Sequence, residues 1–95
     1  MPPMGKQHLH QSHPGIRNRL KRAEGHLRNI IGMIEAGRPC LDITQQLHAV
    51  ENAVAQAKKV LIQDHIDHCL EEAAGAGPRR RGASIRDFKE IAKYL

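Results

Sequence analysis

The sequence predicts an all-α protein of one small domain. Its interior is rich in Ala, Leu, Ile, Gln, Glu and Lys, whereas Gly and Pro lie near the ends and at a few joints, which favours helix over sheet. Apolar residues recur at alternating steps of four and three along two long segments, as on the buried stripe of a helix. With one Tyr, one Phe and no Trp among 95 residues, the chain has little material for a large core, so we expect it to oligomerise.

The first helix is expected to follow a flexible arm of residues 1–12 and to open a single helical domain of residues 13–95. Ser12 can cap this helix, and Pro14 falls in its first turn, where the missing N–H costs nothing. Gly37 and Pro39 end it. Its apolar positions form a seam of nearly three heptads: Ile16, Leu20, Ala23, Leu27, Ile30 and Ile34.

The second helix is predicted to run from Pro39 to Gly75, uninterrupted by Pro or Gly. Its length of about 35 residues is far above the average of about 12, and a chain this short has no single partner helix long enough to cover it. We therefore expect long helices from two chains to pack together. Its apolar residues repeat the same alternating steps: Ile43, Leu47, Val50, Val54, Ala57 and Leu61.

The C-terminal segment is predicted to hold a linker and a short third helix. Residues 75–82, GAGPRRRG, have the composition of a linker, and Ser84 with Asp87 three positions later resembles a capping box. Ile85, Phe88, Ile91 and Leu95 then give an amphipathic helix. The expected protomer is a helical hairpin whose second helix is long, followed by this short third helix.

The stretch IQDHIDHCLE, residues 62–71, indicates a metal site. His65 and Cys69 are four residues apart and share one face of a helix, the spacing by which a helix gives two ligands to one ion. Cys40 precedes His65 by 25 residues, roughly 37 Å along an unbroken helix, so one chain cannot place both on one metal. If two long helices pair antiparallel, Cys40 of one chain comes level with His65 and Cys69 of the other.

The missing fourth donor is expected from the arm. The first helix runs back along the second, which brings the arm histidines within reach of His65 and Cys69: His8, His10 and His13. One arm imidazole, Cys40 of the partner chain, His65 and Cys69 make two thiolates and two imidazoles, a set that suits Zn, Cu or Ni. An isolated cysteine at a helix start is more often structural, and His26 and His48 are interpreted as packing or surface residues.

Charge and composition narrow the class of protein. Residues 1–39 carry seven Lys or Arg against two acids and residues 76–95 carry six against two, whereas residues 40–75 carry two Lys against six acids. A basic excess favours an anionic partner such as nucleic acid, although an ordinary solvated surface explains it equally well. We expect a cytoplasmic protein with reduced thiols and no membrane partner, because no export signal or apolar run of ~18 residues is present. No nucleophile–base arrangement indicates an enzyme or a small-molecule substrate.

Three stretches carry a resemblance to a known family. RLKRAEGHLRNIIGMIEAGRPC, QQLHAV and DHIDHC are similar to the CsoR/RcnR family of small bacterial metal-sensing repressors, over roughly residues 14–95. The resemblance implies a three-helix protomer, an antiparallel dimer with a four-helix core, and a dimer of dimers, hence a homotetramer. It also implies that the metal-free protein binds operator DNA and that metal, one site per protomer at the subunit interface, releases it and derepresses efflux genes.

The resemblance leaves two groups of metals open. The family's copper sensors use the equivalents of Cys40, His65 and Cys69, and they usually have a Tyr before the first cysteine and a Glu in the last helix as outer partners. Here those positions hold Pro39 and, after a shift of two residues, at best Asp87.

The nickel and cobalt sensors of the family add an arm histidine, and His8 falls at the matching position, with His10 and His13 as alternative donors. Ni(II) or Co(II) is therefore the expected metal, with His8, Cys40, His65 and Cys69 as ligands and Cu(I) as the alternative.

The family binds DNA without a helix-turn-helix, through basic residues spread over a tetramer face. Arg19 and Arg22 occupy the matching positions, and charge alone adds Arg17, Lys21, Lys58 and Lys59 as neighbours.

Three other functions remain open. One is a helical metal carrier without a DNA role. Another is a formaldehyde sensor of the same family, which would use an N-terminal proline, here Pro2, together with Cys40. A thiol-redox sensor that uses Cys40 and Cys69 leaves His8 and His65 unexplained.

Overall fold

The computed structural model describes residues 12–75 and 77–95, apart from the side chains of residues 79 and 80. Within these residues the chain forms three α-helices and no strand, which confirms the all-α prediction: α1 is His13–Glu35, α2 is Cys40–Gly75 and α3 is Pro78–Ala92. None of these helices is long and apolar enough to cross a membrane. The predicted division into an arm of residues 1–12 and a single domain of residues 13–95 stays a prediction, because residues 1–11 lie outside the described part.

The turn between α1 and α2 follows from one glycine. Gly37 has φ +71, a left-handed conformation that a side chain disfavours. Its N–H donates to the carbonyl of Ile34 at 3.1 Å, and the N–H of Arg38 donates to that of Met33 at 2.9 Å. This pair of bonds is the Schellman motif, which satisfies the last carbonyls of α1. The carbonyl of Pro39 then accepts the N–H of Ile43 at 3.1 Å and starts α2.

The linker predicted for residues 75–82 is wrong, and so is the capping box at Ser84. The third helix begins at Pro78, whose fixed φ suits the first helical position, directly after Gly77 in an extended conformation. The arginines that follow are good helix formers, so basic charge there does not mean a loop. Ser84 lies inside α3, is 5% exposed, and its hydroxyl donates to the carboxylate of Glu72 at 3.2 Å.

The end of α3 also differs from expectation. The helix stops at Ala92. The turn then tightens, because the backbone N–H groups of the last three residues donate to carbonyls three positions back, at 3.1–3.3 Å. These donors are Lys93, Tyr94 and Leu95. Leu95 therefore lies beyond the helix and is exposed.

The described residues divide into two compact units, one of residues 14–58 and one of residues 59–95 with Ser12 and His13. In the unit of residues 14–58 the predicted apolar seam positions of α1 and α2 fall into two rows, one buried and one exposed. The buried row consists of Ile16, Ala23, Ile30, Val50 and Ala57. The alternate row is 42–58% exposed and consists of Leu20, Leu27, Ile34, Leu47 and Val54.

The unit of residues 59–95 buries a smaller and more polar set. Ile62 and Cys69 of α2 and Ser84 of α3 are each less than 6% exposed. Arg81 of α3 donates from Nε to the carbonyl of Ala73 at 3.1 Å, which satisfies one of the last carbonyls of α2. These contacts hold α3 against the last turns of α2.

Candidate metal centre

Three potential ligands meet where α3 packs on the last turns of α2. His65 and Cys69 lie one turn apart on α2, and Asp87 faces them from α3. One donor atom of each, an imidazole nitrogen, the thiol sulfur and a carboxylate oxygen, lies within 4.8 Å of the other two. His65 Nε2 is 4.0 Å from Asp87 Oδ2. Metal–ligand bonds of about 2.0–2.3 Å need donor separations somewhat below this, so a small closure would suffice.

The Cys69 thiol sits in surroundings that favour its neutral form. Its side chain is 4% exposed. Burial raises the pKa of this thiol, and the negative charges of Asp87 and Glu72 raise it further. Because a thiolate is the metal-binding form, Cys69 would lose its proton on holding a cation, whose positive charge would offset the two carboxylates that oppose ionisation.

A second layer of contacts fixes these groups. Glu72 accepts the hydroxyl of Ser84 through Oε1 at 3.2 Å, and its Oε2 lies 3.8 Å from His68 Nε2. Both interactions use one carboxylate, whose charge acts on the Cys69 thiol although the Glu72 side chain is partly exposed. His68 points toward Glu72 and is not among the three grouped donors.

Cys40, the other predicted thiol ligand, has different surroundings. It is the first residue of α2 and is exposed. It stands 25 residues before His65 in the sequence, and the two belong to different compact units. The prediction that Cys40 serves a site in another chain stays a prediction.

The predicted arm ligand His8 lies outside the described residues, as do the alternatives upstream of Ser12. Ser12 itself donates from Oγ to Oδ2 of Asp64 at 2.6 Å. Asp64, the residue before His65, therefore anchors the chain at Ser12, which is four residues after His8 in the sequence.

The basic residues predicted to bind DNA are all exposed: Arg17, Arg19, Lys21, Arg22, Lys58 and Lys59. Two of them are brought together. Arg19 and Arg22 line a cavity of about 140 Å³ with Ala23, His26 and Ala53. Whether any of the six contacts DNA stays a prediction.

Sequence reasoning gave Asp87 a capping role and, at most, a place among the outer partners. The error arose from starting the third helix too late. A helix that starts at Pro78 carries Asp87 about two and a half turns into α3. The signal was the Gly77–Pro78 pair, since glycine before proline at the first helical position is a helix start.

Known proteins resemble this chain over most of its length. A family model described as a metal-sensitive transcriptional repressor matches residues 12–94. The copper-sensing transcriptional repressor CsoR of Bacillus subtilis is 39% identical over 80 residues, 82% of this chain and 79% of that protein. The copper-sensing transcriptional repressor RicR of Mycobacterium tuberculosis is 35% identical over 78 residues, 81% of each chain.

A longer relative and a solved structure extend the likeness. The copper-sensing transcriptional repressor CsoR of Mycobacterium ulcerans is 36% identical over 77 residues, 81% of this chain and 64% of that protein. The nickel-responsive transcriptional regulator InrS has a similar structure, with a TM-score of 0.78 and 29% identity over 90% of this chain and 94% of that one. By its sequence and its fold, this chain belongs to the CsoR/RcnR family of metal-sensitive transcriptional repressors and is not an enzyme.

Proposed function

We propose that the metal-free protein binds operator DNA and that Ni(II) or Co(II) releases it, which derepresses metal efflux genes. The observation that carries this proposal is the meeting of His65, Cys69 and Asp87 within 4.8 Å. Imidazole, thiolate and carboxylate together suit a divalent ion of intermediate softness, whereas Cu(I) prefers thiolates and gains little from a carboxylate oxygen. InrS, whose structure is similar, is a nickel-responsive regulator, which supports this choice.

The ligand set is completed by groups from elsewhere. Cys40 of a partner chain supplies the second thiolate, so that each protomer contributes to one site at a subunit interface. His8 supplies an arm imidazole. Ser12 is anchored to Asp64, and four residues of extended chain span at most about 14 Å, which permits His8 to reach the neighbourhood of His65. The bound metal supplies a positive charge that stabilises the Cys69 thiolate.

The association of chains is supported by the alternate row defined above. Five apolar side chains that are 42–58% exposed follow one another at heptad spacing along α1 and α2. Such a continuous apolar stripe marks a surface that another helix covers. We propose a homodimer that pairs again to a homotetramer.

Operator binding is assigned to the basic residues of α1 and the middle of α2. Arg19 and Arg22 are central, and their neighbours in the proposed DNA surface are Arg17, Lys21, Lys58 and Lys59, all exposed. Repetition of this set in each subunit produces a phosphate-binding surface whose affinity falls steeply with salt. A metal ligated by Cys69 of one chain and Cys40 of its partner would favour one arrangement of the subunits, and release follows if that arrangement binds DNA less tightly.

Cu(I) is the second candidate effector. It is favoured by the copper-sensing names of relatives up to 39% identical and by the presence of Cys40, His65 and Cys69. Two thiolates and one imidazole suit a soft ion of low coordination number.

The deciding experiment measures release of the chain from its own upstream DNA. Fluorescence anisotropy of a labelled fragment is followed while Ni(II), Co(II) and Cu(I) are added separately to the metal-free protein. We expect Ni(II) or Co(II) to release DNA at about one ion per protomer. Release by Cu(I) alone would transfer the assignment to copper. The absence of any site-specific complex in either metal state would leave a metal carrier as the function.

A further inference from the structure

The cavity that Arg19 and Arg22 line combines two cationic residues with a histidine. It is lined by Arg19, Arg22 and His26 together with two small apolar residues, Ala23 of α1 and Ala53 of α2. The volume of about 140 Å³ holds a phosphate group with a few waters, since one water occupies about 30 Å³ of the liquid.

His26 is held in this wall by a neutral partner. Its Nε2 lies 2.6 Å from Oε1 of Gln46 on α2. An amide oxygen only accepts, so Nε2 carries the hydrogen of this bond, and Nδ1 becomes a second donor only when the ring is protonated. In its charged form the ring donates from both nitrogens, to Gln46 and to an anion at once.

Three other histidines lie near carboxylates. His48 lies 3.7 Å from Glu51, His65 4.0 Å from Asp87 and His68 3.8 Å from Glu72. A carboxylate offsets the charge of an imidazolium, whereas a neutral amide orients the ring and brings no charge of its own. His26 therefore differs from these three histidines in what it offers a ligand.

We propose that Arg19, Arg22 and His26 form a pocket for one phosphodiester group of the DNA backbone, in which Gln46 is a positioning residue for the His26 ring. This rests on the proposed function, because the phosphate belongs to operator DNA. The proposal adds His26, which the sequence alone indicated as a packing or surface residue, to the residues that bind DNA. A phosphate contact positions a protein on the duplex without reading its sequence, so His26 strengthens binding to any duplex.

The first test uses inorganic phosphate and needs no DNA. The metal-free full chain, labelled with ¹⁵N, is titrated with phosphate while NMR follows the ring of His26 and the Nε–H groups of Arg19 and Arg22. We expect all three to shift along one saturation curve and the ring of His48 to stay unchanged. Substitution His26→Ala should weaken phosphate binding about tenfold, the effect of one charged hydrogen bond. Absence of a common curve, or equal affinity in His26→Ala, would overturn the pocket.

The second test measures DNA affinity for the operator fragment and for an unrelated duplex of the same length. His26→Ala should weaken both by a similar factor, about tenfold. His26→Gln, which keeps a donor for Gln46 but carries no charge, should weaken both as well, and His48→Ala should match wild type. A thermal midpoint close to wild type in His26→Gln shows that the fold is kept. A loss confined to the operator would overturn the phosphate assignment in favour of base contacts.

The role of Gln46 is tested by a double-mutant cycle. Gln46→Ala should weaken DNA binding in the wild-type background and have no further effect in His26→Ala, while Gln45→Ala, an exposed neighbour, should be neutral. Additive losses would contradict a positioning role. A wild-type chain that binds no operator fragment would overturn the proposed repression, and the phosphate titration would still decide the pocket by itself.

Discussion

The two compact units of this chain offer opposite chemistry. Residues 59–95 gather a thiol, an imidazole and a carboxylate within 4.8 Å, with Glu72 beside the thiol. Residues 14–58 instead bring two arginines and a histidine to the lining of a small cavity. A cation suits the first set and an anion the second, so metal and DNA need not compete for the same side chains. Cys40 breaks this division, because it belongs to the unit of residues 14–58 and is a predicted metal ligand.

The largest expected effect comes from the two cysteines. Cys40→Ala and Cys69→Ala should each weaken Ni(II) binding by more than the 10–100-fold typical of outer-shell changes, because each removes a ligand. Both variants should still bind operator DNA and should fail to release it with metal. The measurement is competition with a chelator of known affinity, together with anisotropy of the DNA complex.

Mixing these two variants tests whether the site lies between chains. If Cys40 and Cys69 come from different chains, an unfolded and refolded equal mixture should regain about a quarter of the tight sites by random pairing. Each variant refolded alone is the control. If the mixture regains no tight metal sites, Cys40 lies outside the metal site. The unit of residues 14–58 would then contribute none of the proposed metal ligands.

His8 should decide the metal. Ni(II) favours a square-planar set of four donors, whereas Cu(I) accepts fewer and softer ones, so loss of one arm imidazole costs Ni(II) more. His8→Ala should keep operator binding and Cu(I) binding and lose the nickel or cobalt response, a coupling of about 1–3 kcal/mol. The visible ligand-field and charge-transfer spectrum of the Ni(II) form is measured beside DNA release, with His48→Ala as the control. Unchanged spectra and release would favour copper.

Most of the fold could be predicted because its signals are local. Gly37 and Pro39 end α1 through backbone geometry, and the apolar steps identify both long helices. The seam itself did not reveal which of its positions face α2 within the chain. Ile30 is buried and Ile34 is 58% exposed, although the two are identical side chains four residues apart. Burial of a side chain depends on which residues pack against it, and a local sequence pattern does not specify those residues.

The candidate site was predictable only in part, for the same reason. His65 and Cys69 share a helix, so their spacing in the sequence fixes their spacing in space. Asp87 reaches them from α3, whose start at Pro78 sequence reasoning missed. The Glu72–Ser84 bond likewise joins two helices, and Ser84 gave only a capping signal. Cys40 and His8 are untested, because one belongs to a proposed contact between chains and the other lies outside the described residues.

Arginine substitutions in the unit of residues 14–58 should change the affinity for DNA and its salt dependence and leave metal binding unchanged. Arg19→Ala or Arg22→Ala should weaken operator binding about tenfold or more, since each removes a charged hydrogen bond in every subunit. The logarithmic salt slope should fall by about 0.9 for each phosphate contact removed. Arg28→Ala, an exposed arginine of α1 that does not line the cavity, is the matched control. An equal loss in all three variants would mean that general charge, and not this cavity, holds the DNA.

The smallest expected effect is on the reactivity of the Cys69 thiol. Burial comes first and the charge of Asp87 second among the causes that raise its pKa, and a raised pKa means less thiolate at any pH below it. Asp87→Asn removes the second cause and keeps the size of the side chain. The thiol pKa should therefore fall, and Cys69 of the metal-free protein should react faster with iodoacetamide at pH 8. Site-resolved mass spectrometry measures the rate.

Three comparisons make this last measurement specific to the charge of Asp87. Glu72→Gln should accelerate Cys69 in the same direction but less, because its charge contributes less than that of Asp87. Glu90→Gln should have no effect, since that carboxylate of α3 pairs with Lys93 at 3.1 Å and does not act on the thiol. Cys40, which is exposed, should react faster than Cys69 in every variant. If Asp87→Asn leaves the Cys69 rate at the wild-type value, Asp87 does not face the thiol, and the argument for an oxygen ligand and a divalent metal fails with it.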